Sequence, residues 1–251
     1  MSRSKKNCQC KKIMNITNFN KFDYHFFGKE CLIDRNLFNL ENLQKNLQLK
    51  NCHYQEILFL NQVHSSEVVV IDDYEKIYSN SMKPSADAII TNLKNVAIGI
   101  FTADCSPILL VEPNLQIIAA IHCGWRGAIA GIITNTINKI RSVVGSSNLN
   151  LHGFIGPMIQ QKSYQISQDF YNDFIVKNIA NKRFFVSDNK ENKYLFNLGG
   201  YIEDELRKNG VDNVINPQID TFTSDDFFSF RRAKLLKIDD CGRNISLIAL
   251  L

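Results

Sequence analysis

No stretch of the chain approaches the roughly 18 consecutive apolar residues that a membrane span needs, so no spanning helix is expected. A secretory signal core is missing too. The basic start "MSRSKKNCQCKK" runs into "IMNITNFNKFDYHFF", which is too polar to be one. Both absences point to a cytoplasmic protein without a membrane partner. Paired cysteine motifs are scarce as well. The seven cysteines are an odd set at irregular spacing, which suits a reducing compartment better than a disulfide framework. Cys8 and Cys10 form the only close pair, and with no second pair nearby a zinc knuckle is not expected there. Strong charge of one sign is lacking. The formal net charge is +4, with much of the excess in the first dozen residues, which makes no case for nucleic acid as a partner.

There is no Pro/Gly/Ser-rich linker, no low-complexity tract and no solenoid period. Residues 1–20 read as a flexible basic leader and 21–251 as a single domain. With 251 residues, 45% of them apolar and 22% charged, the chain has the make-up of an ordinary globular protein with a sizeable core. Short β-branched runs bounded by turn residues predict strands at "EILFLNQV", "EVVVID", "DAIITN", "VAIGIFTA", "PILLVE" and "QIIAAIHC", and later at "LHGFIG" and "RNISLIAL". The period then changes. "GAIAGIITNTINKIRSVVG" places Ile129, Ile132, Ile133, Ile137, Ile140 and Val144 on one helical face, with Gly145 as a C-cap. Helices are also predicted in "QDFYNDFIVKNIAN" and "LGGYIEDELRKNG". Regular βαβ alternation is missing, so the expected class is α+β, with mixed β-sheets flanked by helices.

The chemistry gathers in "TADCSPILLVEPNLQIIAAIHCGWRG", residues 102–127. An antiparallel hairpin turning at Pro113-Asn114, with residues 111 and 117 opposed, puts His122 across from about Ser106 and next to Cys105. A third donor, His64, ends another apolar run among Asn61, Gln62, Ser65 and Ser66. One thiolate and two imidazoles suit zinc, and three protein ligands leave a fourth position open, as in catalytic rather than structural sites. Copper is the chief competitor. Two other readings of the same residues stand beside it. One is a Cys-His hydrolase with Cys105 as nucleophile. The other is an ordinary strand end carrying a hydrogen-bonded histidine. Cys123, one residue on from His122, points to the opposite face and belongs to the core. Gly124 and Gly127 are expected to allow a tight turn into a helix start, where Arg126 adds a cation suited to phosphate or carboxylate. The stretch is no P-loop, and the H-x-E with a later P-C-x-x-C of the nucleobase deaminases is also missing.

The blocks "NQVHSSEVVVID", "ADAIITNLKNVAIGIFTADCSPILLVEP", "IAAIHCGWRGAIAGI" and "IGPMIQQKSYQI", with "FFSFRR" and "GRNISLIAL" near the end, resemble one bacterial family. Its members were called polyphenol oxidases or laccase-domain proteins, and are now described as purine nucleoside phosphorylases with adenosine deaminase and methylthioadenosine phosphorylase activity. The resemblance implies His64, Cys105 and His122 as metal ligands, zinc as the metal with copper as the alternative, and a layered α/β/β/α fold. It implies purine nucleosides and phosphate as small-molecule partners. With it, Cys105 and Arg126 become the expected catalytic residues, and Arg231 and Arg232 secondary anion-site candidates. Asp104 and Glu67 lie near the ligands, where an acid-base role and a turn-stabilising role are both open. Four departures stand out: Lys29 where Arg is common, no Gly-Gly turn after it, Met158 where Cys is frequent, and Gln165 where Glu is common. A copper-dependent polyphenol oxidoreductase and a catalytically weakened binding module remain the rival functions. No obligate protein partner is evident.

Overall fold

The computed structural model describes residues 21–29, 54–75, 83–238 and 242–251. The basic leader with Cys8 and Cys10, and residues 30–40 of the divergent loop, lie outside them.

Two sheets form the centre. The larger contains β3 (Val68–Ile71), β4 (Ala88–Thr91), β6 (Ser106–Glu112), β7 (Ile117–Cys123), β8 (His152–Ile155) and β12 (Asn213–Ile215), in the order β12-β8-β6-β7-β4-β3. The smaller contains β1 (Phe22–Phe27), β2 (Glu56–Phe59), β5 (Val96–Thr102) and β13 (Asn244–Leu250), in the order β1-β13-β5-β2. Parallel pairs occur at β2/β5, β3/β4 and β8/β12, and the rest are antiparallel. The sheets are thus mixed, as an α+β fold requires.

Strands β6 and β7 are buried along their whole length because both faces of the larger sheet are covered. One face, with Leu109, Val111, Ile118 and Ala120, meets Ile98, Ile100 and Ile248 of the smaller sheet. The other, with Ile108, Leu110, Ala119 and Ile121, meets helices. Double coverage explains why these strands read as continuous apolar runs rather than alternating ones.

The helical cover includes α1 (Trp125–Ala130), α2 (Ile132–Val144) and α4 (Leu198–Lys208). The sequence predicts one helix over α1 and α2. The chain instead breaks at Gly131, whose φ of +85° is left-handed, while Ile132, Ile133, Ile137 and Ile140 keep the expected buried face. Beyond this layer a three-stranded sheet, β9 (Gln165–Ser167), β10 (Phe185–Ser187) and β11 (Lys193–Phe196), packs with α3 (Gln168–Lys177) around Phe170, Phe174, Phe185 and Phe196. The short α5 (Phe230–Leu235) precedes β13. Three of the four expected layers fall within the described residues. On the outer face of the smaller sheet these include Tyr54, Ile57, Ala97 and Ala249.

Candidate metal centre

Two chain segments cross from the smaller sheet to the larger one. The first, residues 60–67, joins β2 to β3 and carries His64. The Gln62 side chain anchors it. Its amide donates to the Phe101 carbonyl and its oxygen accepts from the Phe101 N–H, each at 2.8 Å. His64 then takes a left-handed backbone, φ 61°, held by its N–H donating to Asp87 Oδ1 at 3.0 Å. The second crossing is residues 103–105, between β5 and β6. Asp104 turns it with φ 88°, and its carboxylate accepts from the Thr221 hydroxyl at 2.7 Å and the Arg231 N–H at 2.6 Å. Cys105 follows at the rim. His122, next to last in β7, completes the group.

The hairpin register differs from expectation by one residue. Glu112 opposes Ile117, so His122 opposes Pro107 and Ser106 opposes Cys123. The turn is the four-residue loop 113–116, with Gln116 left-handed at φ 52°. The shift matters because side chains alternate faces. In the expected register Cys105 would sit across from Cys123, on the helix side. In the observed one, Cys105 and Pro107 share the face of His122, and Cys123 is buried among Ile121, Ala128 and other core side chains. Gly124 also departs from expectation. Its φ of −80° and ψ of 171° are open to any residue, so no turn requires a glycine. Close approach does: a Cβ there would lie 2.8 Å from Cys105 Sγ and 3.3 Å from His64 Cδ2.

One ligand atom from each of His64, Cys105 and His122 lies within 4.8 Å of the others. Cys105 Sγ is 3.9 Å from His64 Nε2, and the imidazole centroids are 4.7 Å apart, edge to face. His64 is exposed, Cys105 half-buried and His122 buried, so the group is open on one side. Soft sulfur with two borderline nitrogens is a donor set that fits zinc or copper.

Asp87 organises the group, although nothing in the sequence marks it beyond its place at the head of a strand. It is fully buried. Oδ1 accepts from His122 Nδ1 at 2.7 Å, and Oδ2 accepts from the Ser65 N–H at 2.5 Å and the Ser65 hydroxyl at 2.8 Å. One carboxylate thus fixes the His122 tautomer, leaving Nε2 for an ion, and shapes the His64 segment. Burial alone would push the Asp87 pKa up, but hydrogen bonds from His122 and Ser65 override it and hold it at about 2. Cys105 behaves alike. Burial opposes its ionisation, yet the His122 charge and hydrogen bonds from His122 and His64 hold the thiol at about 6. Burial lowers the His122 pKa, but the Cys105 thiolate and Asp87 raise it to about 9. Metal-free protein therefore carries a thiolate-imidazolium pair near neutrality. Its Cys105 is expected to react with iodoacetamide at a rate that is low below pH 5, half-maximal near pH 6 and level above pH 7. Added zinc should protect it, and pH-dependent mass spectrometry of the labelled peptide reads the outcome.

The remaining predicted residues separate. Arg126 is exposed on α1, its guanidinium 4.5 Å from the Trp125 ring. Arg231, on α5, donates to the Gln165 carbonyl at 2.9 Å and lies 5.6 Å from the Tyr164 ring. Arg232 instead clamps a loop by donating to the carbonyls of Thr221, Phe222, Ser224 and Phe227, so it does not serve as an anion site. Asp104 is committed to the bonds described above and has the turn-stabilising role. Glu67 is exposed, with its backbone carbonyl taking the Asp87 and Ala88 N–H groups. Met158 is buried in the core. Gln165 donates to the Asp188 carboxylate, where a Glu would face like charge. Lys29 donates its backbone N–H to the Asp226 carbonyl at 2.8 Å. Phe26 touches the space over Gly156, where an added Cβ would also meet Pro107.

The family described as multi-copper polyphenol oxidoreductase laccase matches residues 34–251, and the chain belongs to it. Similar relatives bear another name. A purine nucleoside phosphorylase of Rickettsia prowazekii is 38% identical over 178 residues, 71% of each chain. One of Campylobacter jejuni is 30% identical over 214 residues, covering 84% of this chain and 86% of that one. Among solved structures, Neisseria meningitidis NMB0706 superposes with a TM-score of 0.73 at 25% identity, over 92% of this chain and 95% of that one. Bacillus licheniformis YfiH does so with 0.75 at 19% identity, over 93% and 94%, a likeness of fold alone. The relatives' names support an enzyme of the purine nucleoside phosphorylase kind. No helix among the described residues is long and apolar enough to cross a membrane.

Proposed function

We propose that the chain is a zinc-dependent purine nucleoside phosphorylase that acts on adenosine, inosine, guanosine and methylthioadenosine and also deaminates adenosine. The observation that carries this reading is the open convergence of His64, Cys105 and His122 in a chain whose relatives are named purine nucleoside phosphorylases. A zinc ion held by these three side chains supplies an electrophile and a water activated near neutral pH. Asp87 orients His122, and Gly124 keeps space for the Cys105 sulfur. Arg126 offers guanidinium donors with no hydrogen-bond partner among the described residues, and holds phosphate as it adds to the ribose carbon while the bond to the purine breaks. Zinc is preferred to copper because the described residues contain one such three-ligand group, whereas multi-electron oxygen reduction draws on several coppers.

Metal analysis of purified protein, coupled to purine release with and without phosphate and to ammonia release from adenosine, tests this. Cys105→Ala is expected to lose the metal and at least about a thousandfold in turnover, while Cys123→Ala keeps both. Phosphate-independent activity that survives chelation would instead favour the second reading, a Cys-His hydrolase, which the low Cys105 pKa supports.

A further inference from the structure

Tyr164 stands where two independent lines of contact leading away from Cys105 meet. On one side, Asp104, the neighbour of Cys105, accepts the Arg231 N–H at 2.6 Å, and the Arg231 guanidinium lies 5.6 Å from the Tyr164 ring. On the other, Gly124, whose Cα borders the Cys105 sulfur, leads into Trp125. Trp125 packs 4.6 Å from Phe170, and Phe170 packs 6.0 Å from Tyr164, while the Arg126 guanidinium lies 4.5 Å from the Trp125 ring. The ring of Tyr164 is fixed by Phe170 and Phe196. Its backbone is fixed by an N–H bond to the Gln161 carbonyl at 3.1 Å and a carbonyl bond from the Phe196 N–H at 3.0 Å.

We infer that Arg231 and Tyr164, with Arg126, form the oxyanion subsite of this centre, and that its ligand is inorganic phosphate. The subsite rests on the reading of the centre as a phosphorylase and identifies the groups that would hold its second substrate. The donors are Arg231, Arg126 and Tyr164, and both guanidiniums and Cys105 lie close enough to act electrostatically on the Tyr164 phenol. Of the five Arg231 N–H groups one is spent on the Gln165 carbonyl. The Arg126 guanidinium and the Tyr164 hydroxyl make no hydrogen bond among the described residues. Asp104 spends one carboxylate oxygen on Thr221 and the other on the Arg231 backbone N–H, and makes no ion pair with either guanidinium among the described residues. Burial and the Cys105 charge push the Tyr164 pKa up, with Arg231 and Arg126 acting against them. The phenol therefore stays a hydrogen-bond donor at neutral pH. Two guanidiniums beside a phenol O–H suit a tetrahedral oxyanion better than a purine edge.

Inorganic phosphate titrated into zinc-loaded protein by calorimetry tests this. Arg231→Met is expected to weaken phosphate binding at least about tenfold and Tyr164→Phe severalfold, with zinc content and circular dichroism unchanged. Arg231→Lys, which keeps charge and the backbone bond to Asp104, should fall between. Wild-type affinity in all three variants, or no phosphate binding by the wild type, overturns the subsite. Phosphate-dependent purine release whose KM for phosphate ignores the variants overturns it too, and leaves the phosphorylase reading intact. Arg231-dependent phosphate binding without purine release does the reverse.

Discussion

Gly124→Ala is expected to fold and yet bind zinc about a hundredfold more weakly, with purine release falling in step. The new methyl would lie 2.8 Å from Cys105 Sγ and 3.3 Å from His64 Cδ2, so it displaces two of the three donors at once. Backbone strain contributes nothing, because φ −80° and ψ 171° are comfortable for alanine. The stability cost of the metal-free protein is that of modest overpacking, about 1–3 kcal/mol. Gly131→Ala gives the opposite pattern. Nothing lies within 4 Å of its added methyl, but φ is +85°, so alanine costs about 1–2 kcal/mol of folding stability while zinc affinity holds. Chelator competition with thermal unfolding of both variants reads the crossover. Equal zinc affinities would refute the steric account of Gly124.

Asp87→Asn is the second large effect, and it should touch both metal and fold. The carboxylate faces donors on each oxygen: His64 N–H and His122 Nδ1 on one, Val63 N–H, Ser65 N–H and the Ser65 hydroxyl on the other. Whichever way the amide turns, its NH2 meets N–H groups it cannot accept from, and a buried charge-assisted set is broken. A loss of about 3–5 kcal/mol in stability is expected, with zinc affinity lowered about 10–100-fold as His122 loses its orientation. The sign with pH follows from the carboxyl held at about 2 in the fold, against roughly 3.9 in an unfolded chain. That contribution is complete above about pH 4 and disappears as pH falls toward 2. Metal-free wild type should therefore lose stability over that interval, and the Asn variant should lack this part of the acid response. Urea unfolding from pH 2 to 7 measures it.

Much of this was legible because the signals were local. Every long apolar run became a strand, and the Ile132–Ile140 spacing became a buried helical face. The sulfur and imidazoles of Cys105, His122 and His64 were conspicuous at the ends of apolar runs, where nothing structural asks for them. What stayed hidden depends on tertiary contacts. Asp87 looks like a turn residue, and its five donors come from another segment and from a strand three elements later. The hairpin register turned on whether the loop held five residues or four. That was settled by Gln116 in a left-handed backbone, which a glutamine does not advertise. Gly131 sits inside an unbroken helical pattern, and strands β9 to β12 are too short to show a period. Arg231 and Arg232 look identical in "FFSFRR", and only the carbonyls around Arg232 tell them apart.

His64 and Cys105 both sit where the chain steps from one sheet to the other, while His122 belongs to the larger sheet alone. An ion shared by the three would act as a rivet through the two layers. Gripping the ion and keeping the layers aligned then become a single equilibrium. A cavity cut at Ile98 or Leu109, in the seam between the sheets, would loosen the ion without touching a ligand, and a loaded rivet would resist the sliding that such a cavity permits.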